Sequence, residues 1–147
     1  MTRQINTAGL DLIQDTEGCR LRAYPDPATG GAPWTIGYGH TGPEVTPTTI
    51  ITFDQAEEYL KSDLRRFEDG VEKLAPKCTD NQFAALVCFA FNCGLGNLRG
   101  STLLKLHNAG DYRGAQGEFC KWDKANGRVM SGLERRRNAE AMLYAKP

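Results

Sequence analysis

Trp34-Thr35-Ile36-Gly37-Tyr38-Gly39-His40 is the stretch on which the reading of the fold turns. Its β-branched and aromatic residues give it strand character. Strand alternation puts Trp34, Ile36, Tyr38 and His40 on one face and Thr35, Gly37 and Gly39 on the other. The first face is bulky and packs. The second is bare apart from one hydroxyl, which costs stability unless something approaches closely. Two readings stand: a bulge or tight packing within the protein, or a ligand ring lying against the glycines with Thr35 holding a water. By parity His40 falls on the packed face, as a hydrogen-bonding support rather than a base.

Working outward, Leu21-Arg22-Ala23-Tyr24 is a second short strand. Between the two lies Pro25-Asp26-Pro27-Ala28-Thr29-Gly30-Gly31-Ala32-Pro33, turn chemistry throughout. A β-hairpin or three-stranded sheet is expected, with the third strand near Glu44 and Val45. On the N-terminal side, Ile5, Ala8, Leu12 and Ile13 recur at helical spacing, Asn6 or Thr7 can cap, and Gly18 stops the helix, which predicts a helix over 7–17.

Everything beyond Pro47 is helical. Thr52-Phe-Asp-Gln55 opens as a capping box, and one long helix runs to about Leu74, with Gly70 a mild blemish. Thr79-Asp-Asn-Gln82 is a second capping box before the most apolar segment, Phe83 to Phe91, a helix apolar nearly all round and therefore central. Gly94 and Gly96 stop it. Shorter helices are expected at 102–108 and 112–119, then a loop over 123–132 and a last helix from about Leu133 to Ala145. The class is α+β: a small β lobe at about 19–46, and a helical lobe at about 75–147 together with the N-terminal helix. The long helix joins them in a single 147-residue domain.

Eighteen basic and eighteen acidic residues cancel, which argues against a dedicated nucleic-acid binder. No stretch is long and apolar enough to span a membrane, and Met1 to Ile13 lacks the apolar run of a secretory signal. Five cysteines (Cys19, Cys78, Cys88, Cys93 and Cys120) form no CxxC pair. They read as reduced thiols rather than a disulfide framework or zinc site. No metal and no cofactor are expected.

Glu17 continues the apolar stripe of the first helix, four residues after Ile13, and occupies its last turn, where the helix dipole disfavours an anion. Both effects favour the protonated acid, the condition a proton donor needs near neutral pH. A solvated glutamate at a frayed end is the plainer alternative. Asp26, between two prolines, is by itself a turn residue. Paired with Glu17 it forms two carboxylates on adjoining elements, one apolar and one polar in surroundings, the arrangement glycosidases use.

Glu17-Gly18-Cys19, Tyr24-Pro-Asp26, Trp34 to Thr41, Phe89-Ala-Phe91-Asn92-Cys-Gly94 and Gly132-Leu133-Glu-Arg-Arg136-Arg137-Asn-Ala-Glu140 occur in this order. Together they resemble the bacteriophage lysozymes of glycoside hydrolase family 24, over nearly the whole chain from about residue 7 to 145. The resemblance implies a lysozyme-like fold and an endolysin or muramidase that hydrolyses the β-1,4 bond between N-acetylmuramic acid and N-acetylglucosamine of peptidoglycan. The family pattern is a Glu, eight residues, Asp or Cys, then Thr. Glu17 and Asp26 match that spacing, and Thr35 fills the third place. Between Asp26 and Thr35, however, eight residues intervene where the family has five, which reads as a three-residue hairpin extension near Ala32-Pro33.

By resemblance, Glu17 protonates the glycosidic oxygen while Asp26 and Thr35 handle the attacking water, with inversion at the anomeric carbon. Phe91 and Asn92 correspond to a segment lining the cleft, where Asn92 would bond an acetamido group and Phe91 would support a sugar; core packing is the other reading of Phe91. Thr102 has a weaker claim of the same kind. Arg136 and Arg137 either pair with Glu140 on a solvated helix face or reach back to Glu17. The implied setting is synthesis in a host cytoplasm, release through a membrane lesion made by a holin, and action on the cell wall as a monomer, without membrane insertion or nucleic acid. Two rivals remain: a lytic transglycosylase, and a non-catalytic wall-binding or virion module on the same fold.

Overall fold

The computed structural model describes residues 3–147. The described residues form two compact units, one made of Gln14–Arg65 and the other of the residues up to Ile13 with Arg66–Pro147. Two helices, α1 (Thr7–Glu17) and α2 (Phe53–Leu74), run continuously through the boundaries. Asn6 caps α1, its side chain accepting the Gly9 amide at 2.9 Å. Thr52 and Gln55 cap α2 reciprocally, at 3.2 and 2.9 Å, as the capping box requires.

Within Gln14–Arg65 an antiparallel sheet has the order β1 (Arg20–Tyr24), β2 (Thr35–Gly37), β3 (His40–Thr41). Arg20 pairs with Gly37 and Tyr24 with Thr35, so β1 spends four residues where β2 spends two and the ladder is bulged. Ile36, Val45, Ile51 and Ala56 form its core, with Leu21, Ala23, Trp34, Tyr38 and Tyr59 packed on it.

Two expectations are corrected here. The segment from Trp34 to His40 is not one strand: it turns at Tyr38-Gly39, because Gly37 and Gly39 take φ of 65° and 87°, which L-residues with a side chain rarely adopt. The third strand is accordingly His40–Thr41, not Glu44-Val45. Ile36 and His40 nevertheless stand opposite each other across the turn, so the packed face survives.

In the other unit, α3 (Asp80–Cys93) is buried from Gln82 to Ala90. Its capping box is complete, Thr79 accepting from the Gln82 amide and Gln82 accepting from the Thr79 amide. It packs on α7 (Ser131–Ala145). Three short helices lie between them: α4 (Leu95–Arg99), which had no counterpart in the sequence reading, then α5 (Thr102–Asn108) and α6 (Tyr112–Glu118). A single 3-10 turn, Phe119–Lys121, follows α6. Phe119 and Trp122 meet the Phe89 ring edge-on, at 5.9 and 5.4 Å. Gly70 also finds its reason, since a Cβ there would stand 2.7 Å from both Leu95 methyls. The expected loop over 123–132 contains a hairpin, β4 (Lys124–Ala125) and β5 (Arg128–Val129), turned by Asn126 and Gly127 at positive φ. Asn-Gly is the dipeptide a two-residue hairpin turn favours. All five cysteines are unpaired thiols. Among the described residues no helix is long and apolar enough to cross a membrane.

Candidate active site

Glu17 is the last residue of α1, half-buried, and Gly18 follows it at φ 69° as a left-handed stop. Its carboxylate faces the turn between β2 and β3, with Oε2 3.9 Å from where a Cβ on Gly39 would stand. The two glycines of the bare face stand in different surroundings. At Gly37 a Cβ would meet Ala56 Cβ at 3.4 Å and Ile51 at 3.6 Å, ordinary contact, so its φ of 65° rather than close packing calls for glycine. Gly39 faces the acid.

Asp26 is half-buried and deeply involved in its own turn. Its Oδ1 accepts the Ala28 amide at 2.7 Å, its carbonyl accepts the amides of Thr29 and Gly30, and its own amide donates to the Gly31 carbonyl. This Asx turn holds the carboxyl in place and uses one of its oxygens. Thr35, half-buried, pairs with Tyr24 on one side and Thr41 on the other, and its hydroxyl donates to the Pro33 carbonyl at 3.3 Å. A hydroxyl that donates in this way still has lone pairs to accept from a water.

His40 is buried as a support. Its Nδ1 meets Asp63 at 2.8 Å, its Nε2 meets Glu44 at 2.5 Å, and its ring stacks on Tyr59 with centroids 4.1 Å apart. Both ring nitrogens face carboxylates, an arrangement that favours a hydrogen on each and hence the imidazolium. Burial opposes that charge, but Glu44 and Asp63 outweigh it and raise the His40 pKa. The same contact lowers that of Glu44.

The remaining sequence candidates lie in the other unit. Phe91 is half-buried, its ring edge-on to Phe67 at 5.3 Å, which is a packing role. Asn92 is exposed and lines a cavity of about 450 Å³ with Cys93, Asn97, Lys121, Trp122, Lys124 and Leu133. Apart from Asn92, none of these lining residues was singled out from the sequence. Their signal is faint: a tryptophan between two lysines just before an Asn-Gly turn. Thr102 is exposed at the start of α5.

Arg136 and Arg137 do not sit on a solvated face. Both are buried with Glu140, to which Arg137 donates at 2.7 Å and Arg136 approaches at 3.4 Å. Arg137 also donates to Cys93 Sγ at 2.6 Å. Burial pushes the Glu140 carboxyl up to about 7 against the pull of the two guanidiniums.

A helix ending in an acid, a bulged three-stranded sheet and a long helix leading to a buried central helix define the lysozyme-like class of α+β proteins. The phage lysozyme family model matches residues 14–140. The endolysin of Bacillus phage B103 is 46% identical over 141 residues, covering 95% of this chain and 53% of that relative. The endolysin of Salmonella phage P22 is 37% identical over 147 residues, covering 97% and 99%. Among solved structures, the muramidase domain of SpmX from Asticaccaulis excentricus superposes with a TM-score of 0.89 at 35% identity, covering 99% of both chains. The chain belongs to the phage lysozyme family. It spans about half the length of the Bacillus phage relatives it matches.

Proposed function

We propose that this chain is a glycoside hydrolase, an endolysin of muramidase type that cleaves the β-1,4 bond between N-acetylmuramic acid and N-acetylglucosamine in peptidoglycan. The observation that carries this reading is the half-buried Glu17 carboxylate set 3.9 Å from the Cβ position of Gly39. Glu17 is the proton donor, beside the turn at Gly39 and in the same compact unit as Asp26 and Thr35. Glu17 protonates the glycosidic oxygen as the bond breaks. Asp26, held by its own turn, takes a proton from the attacking water through its second oxygen, and Thr35 orients that water. A water between sugar and base gives inversion, for which the two carboxyls stand roughly 6.5–9.5 Å apart. In this reading the chain is one catalytic domain, with Asn92 and Thr102 contributing to the sugar path. The enzyme reaches the wall after release by a holin and works as a monomer.

Glu17→Gln keeps the shape and removes the proton. Turbidity loss of outer-membrane-permeabilised Gram-negative cells should fall by about 10²–10⁴-fold, with the circular dichroism melt unchanged. A fully active Glu17→Gln ends the proposal. One observation favours the lytic transglycosylase alternative: the engagement of Asp26 in its turn, which would leave Glu17 as a lone acid. Mass spectrometry of the digest decides between them, reducing ends supporting hydrolysis and anhydro-muramyl ends the alternative.

A further inference from the structure

β1 presents two unlike faces. Leu21 and Ala23 pack on the sheet core, while Arg20 and Arg22 are exposed. An arginine on a short strand ordinarily sweeps through many rotamers, and holding it costs about 2 kcal/mol. Arg20 is already held: its guanidinium lies over the Tyr24 ring, 4.9 Å from the centroid. The partner of this cation is a ring rather than a carboxylate. The ring engages the face of the guanidinium, so the in-plane fork of N–H donors stays open, and that fork matches a planar carboxylate bidentately.

Its position matters as much as its geometry. Tyr24 stands opposite Thr35, and cross-strand partners share a face of the sheet. The Arg20–Tyr24 pair therefore flanks the face on which Thr35 lies. It begins three residues after Glu17 and ends two before Asp26 in the sequence.

We propose that this outward face of β1, built on Arg20 over Tyr24 with Arg22 beside it, is a binding site for the carboxylates of the stem peptide carried by the glycan strand. The inference rests on the muramidase reading and deepens it. Muramic acid bears the stem peptide on its lactyl group, so a peptidoglycan strand bound at Glu17 carries peptide carboxylates along with it. Neutral chitin-like chains have none. The face thus selects peptide-bearing strands over bare ones, with Arg20 as the specificity-determining residue.

The test uses purified sacculi, untreated or with their carboxyls converted to methylamides by carbodiimide and methylamine. For the unaltered protein KM should be about tenfold higher on amidated sacculi, a factor within the range of a single charge-assisted hydrogen bond. In Arg20→Gln the ratio of the two KM values should collapse toward one, and Arg20→Lys, with the charge but not the fork, should fall between. Arg22→Gln should reduce the ratio less. A ratio equal in the unaltered protein and in Arg20→Gln overturns the proposal. Co-sedimentation of Glu17→Gln protein with the same two preparations reads the face without turnover. If the unaltered protein cleaves neither, the muramidase reading fails, while loss of the sedimentation preference in Glu17→Gln/Arg20→Gln still supports the face and its persistence rejects it.

Discussion

His40 and His107 are the only histidines of the chain, and each of the two compact units contains one. Each is buried, and each has both ring nitrogens engaged. At His40 the partners are two carboxylates, Asp63 and Glu44. At His107 they are neutral: Nε2 donates to the Lys77 carbonyl at 2.9 Å, and Nδ1 is left to accept the Tyr144 hydroxyl at 2.6 Å. A carbonyl can only accept, so Nε2 carries a hydrogen, and burial favours the neutral ring, whose Nδ1 then accepts from Tyr144. Burial lowers the pKa of His107, while that of His40 is raised despite burial because its carboxylates prevail. The same side chain, equally engaged, is pushed toward the cation in one unit and toward the neutral ring in the other. The charge of the partners, more than the depth of burial, decides which.

The largest expected effect falls on the neutral strut. His107→Ala empties a site where the residue is 2% exposed, and it strands the Tyr144 hydroxyl and the Lys77 carbonyl. Cavity and lost partners together should cost about 3–4 kcal/mol in urea unfolding at pH 7. A loss under 1 kcal/mol would mean that water fills the site and re-bonds both groups, which would break the contrast.

A smaller effect, with a pH signature, belongs to the cation. His40 has a folded pKa above its unfolded value, so its contribution is complete below about pH 6.5. It is lost as pH rises through the raised folded value. Asp63→Ala should therefore cost about 1–2 kcal/mol near pH 6, the Asp63 side chain being 32% exposed and partly screened. The difference from the unaltered protein should shrink by pH 9. His107 works the other way: its folded value is depressed, so its contribution is present above about pH 6.5 and is lost on acidification. An Asp63→Ala penalty independent of pH between 6 and 9 would show that a neutral hydrogen bond, not charge, holds His40.

How much of this could be read from the residues alone follows from the range of each interaction. Helix starts are local. The side chains at Thr52 and Gln55, and at Thr79 and Gln82, carry their own instructions within one turn, and both helices begin where those residues say. The Asn126-Gly127 turn is equally local, but its flanking strands are only two residues long, too short to show a strand pattern.

The site was half legible. Glu17 was marked by its place on an apolar stripe at a helix end, and His40 by the parity of its strand. That Gly37 faces Ala56 while Gly39 faces Glu17 depends on tertiary packing that no spacing encodes. Asp63 is 23 residues from His40, and nothing in its neighbourhood sets it apart from the other acids of α2. Helical spacing shows that Arg136, Arg137 and Glu140 can meet, but a charged sequence conceals that α3 packs on their helix and buries them.

The smallest effect tests the comparison most directly. In a titration followed by the imidazole Hε1 resonances, His40 should have its midpoint above 6.5 and His107 below it, the order set by carboxylate against neutral partners. Glu44→Gln keeps a hydrogen-bond acceptor at Nε2 but removes one of the two anions. Glu44 is 45% exposed against 32% for Asp63, so solvent already weakens its hold, and the midpoint of His40 should drop. Asp63→Asn, removing the drier anion, should move it further. The His107 midpoint should stay where it is in both variants, since its partners lie in the other unit. A larger shift from Glu44 than from Asp63 would mean that the 2.5 Å contact outweighs burial in setting the charge of His40, and the ranking of partner over depth would then extend to the two carboxylates themselves.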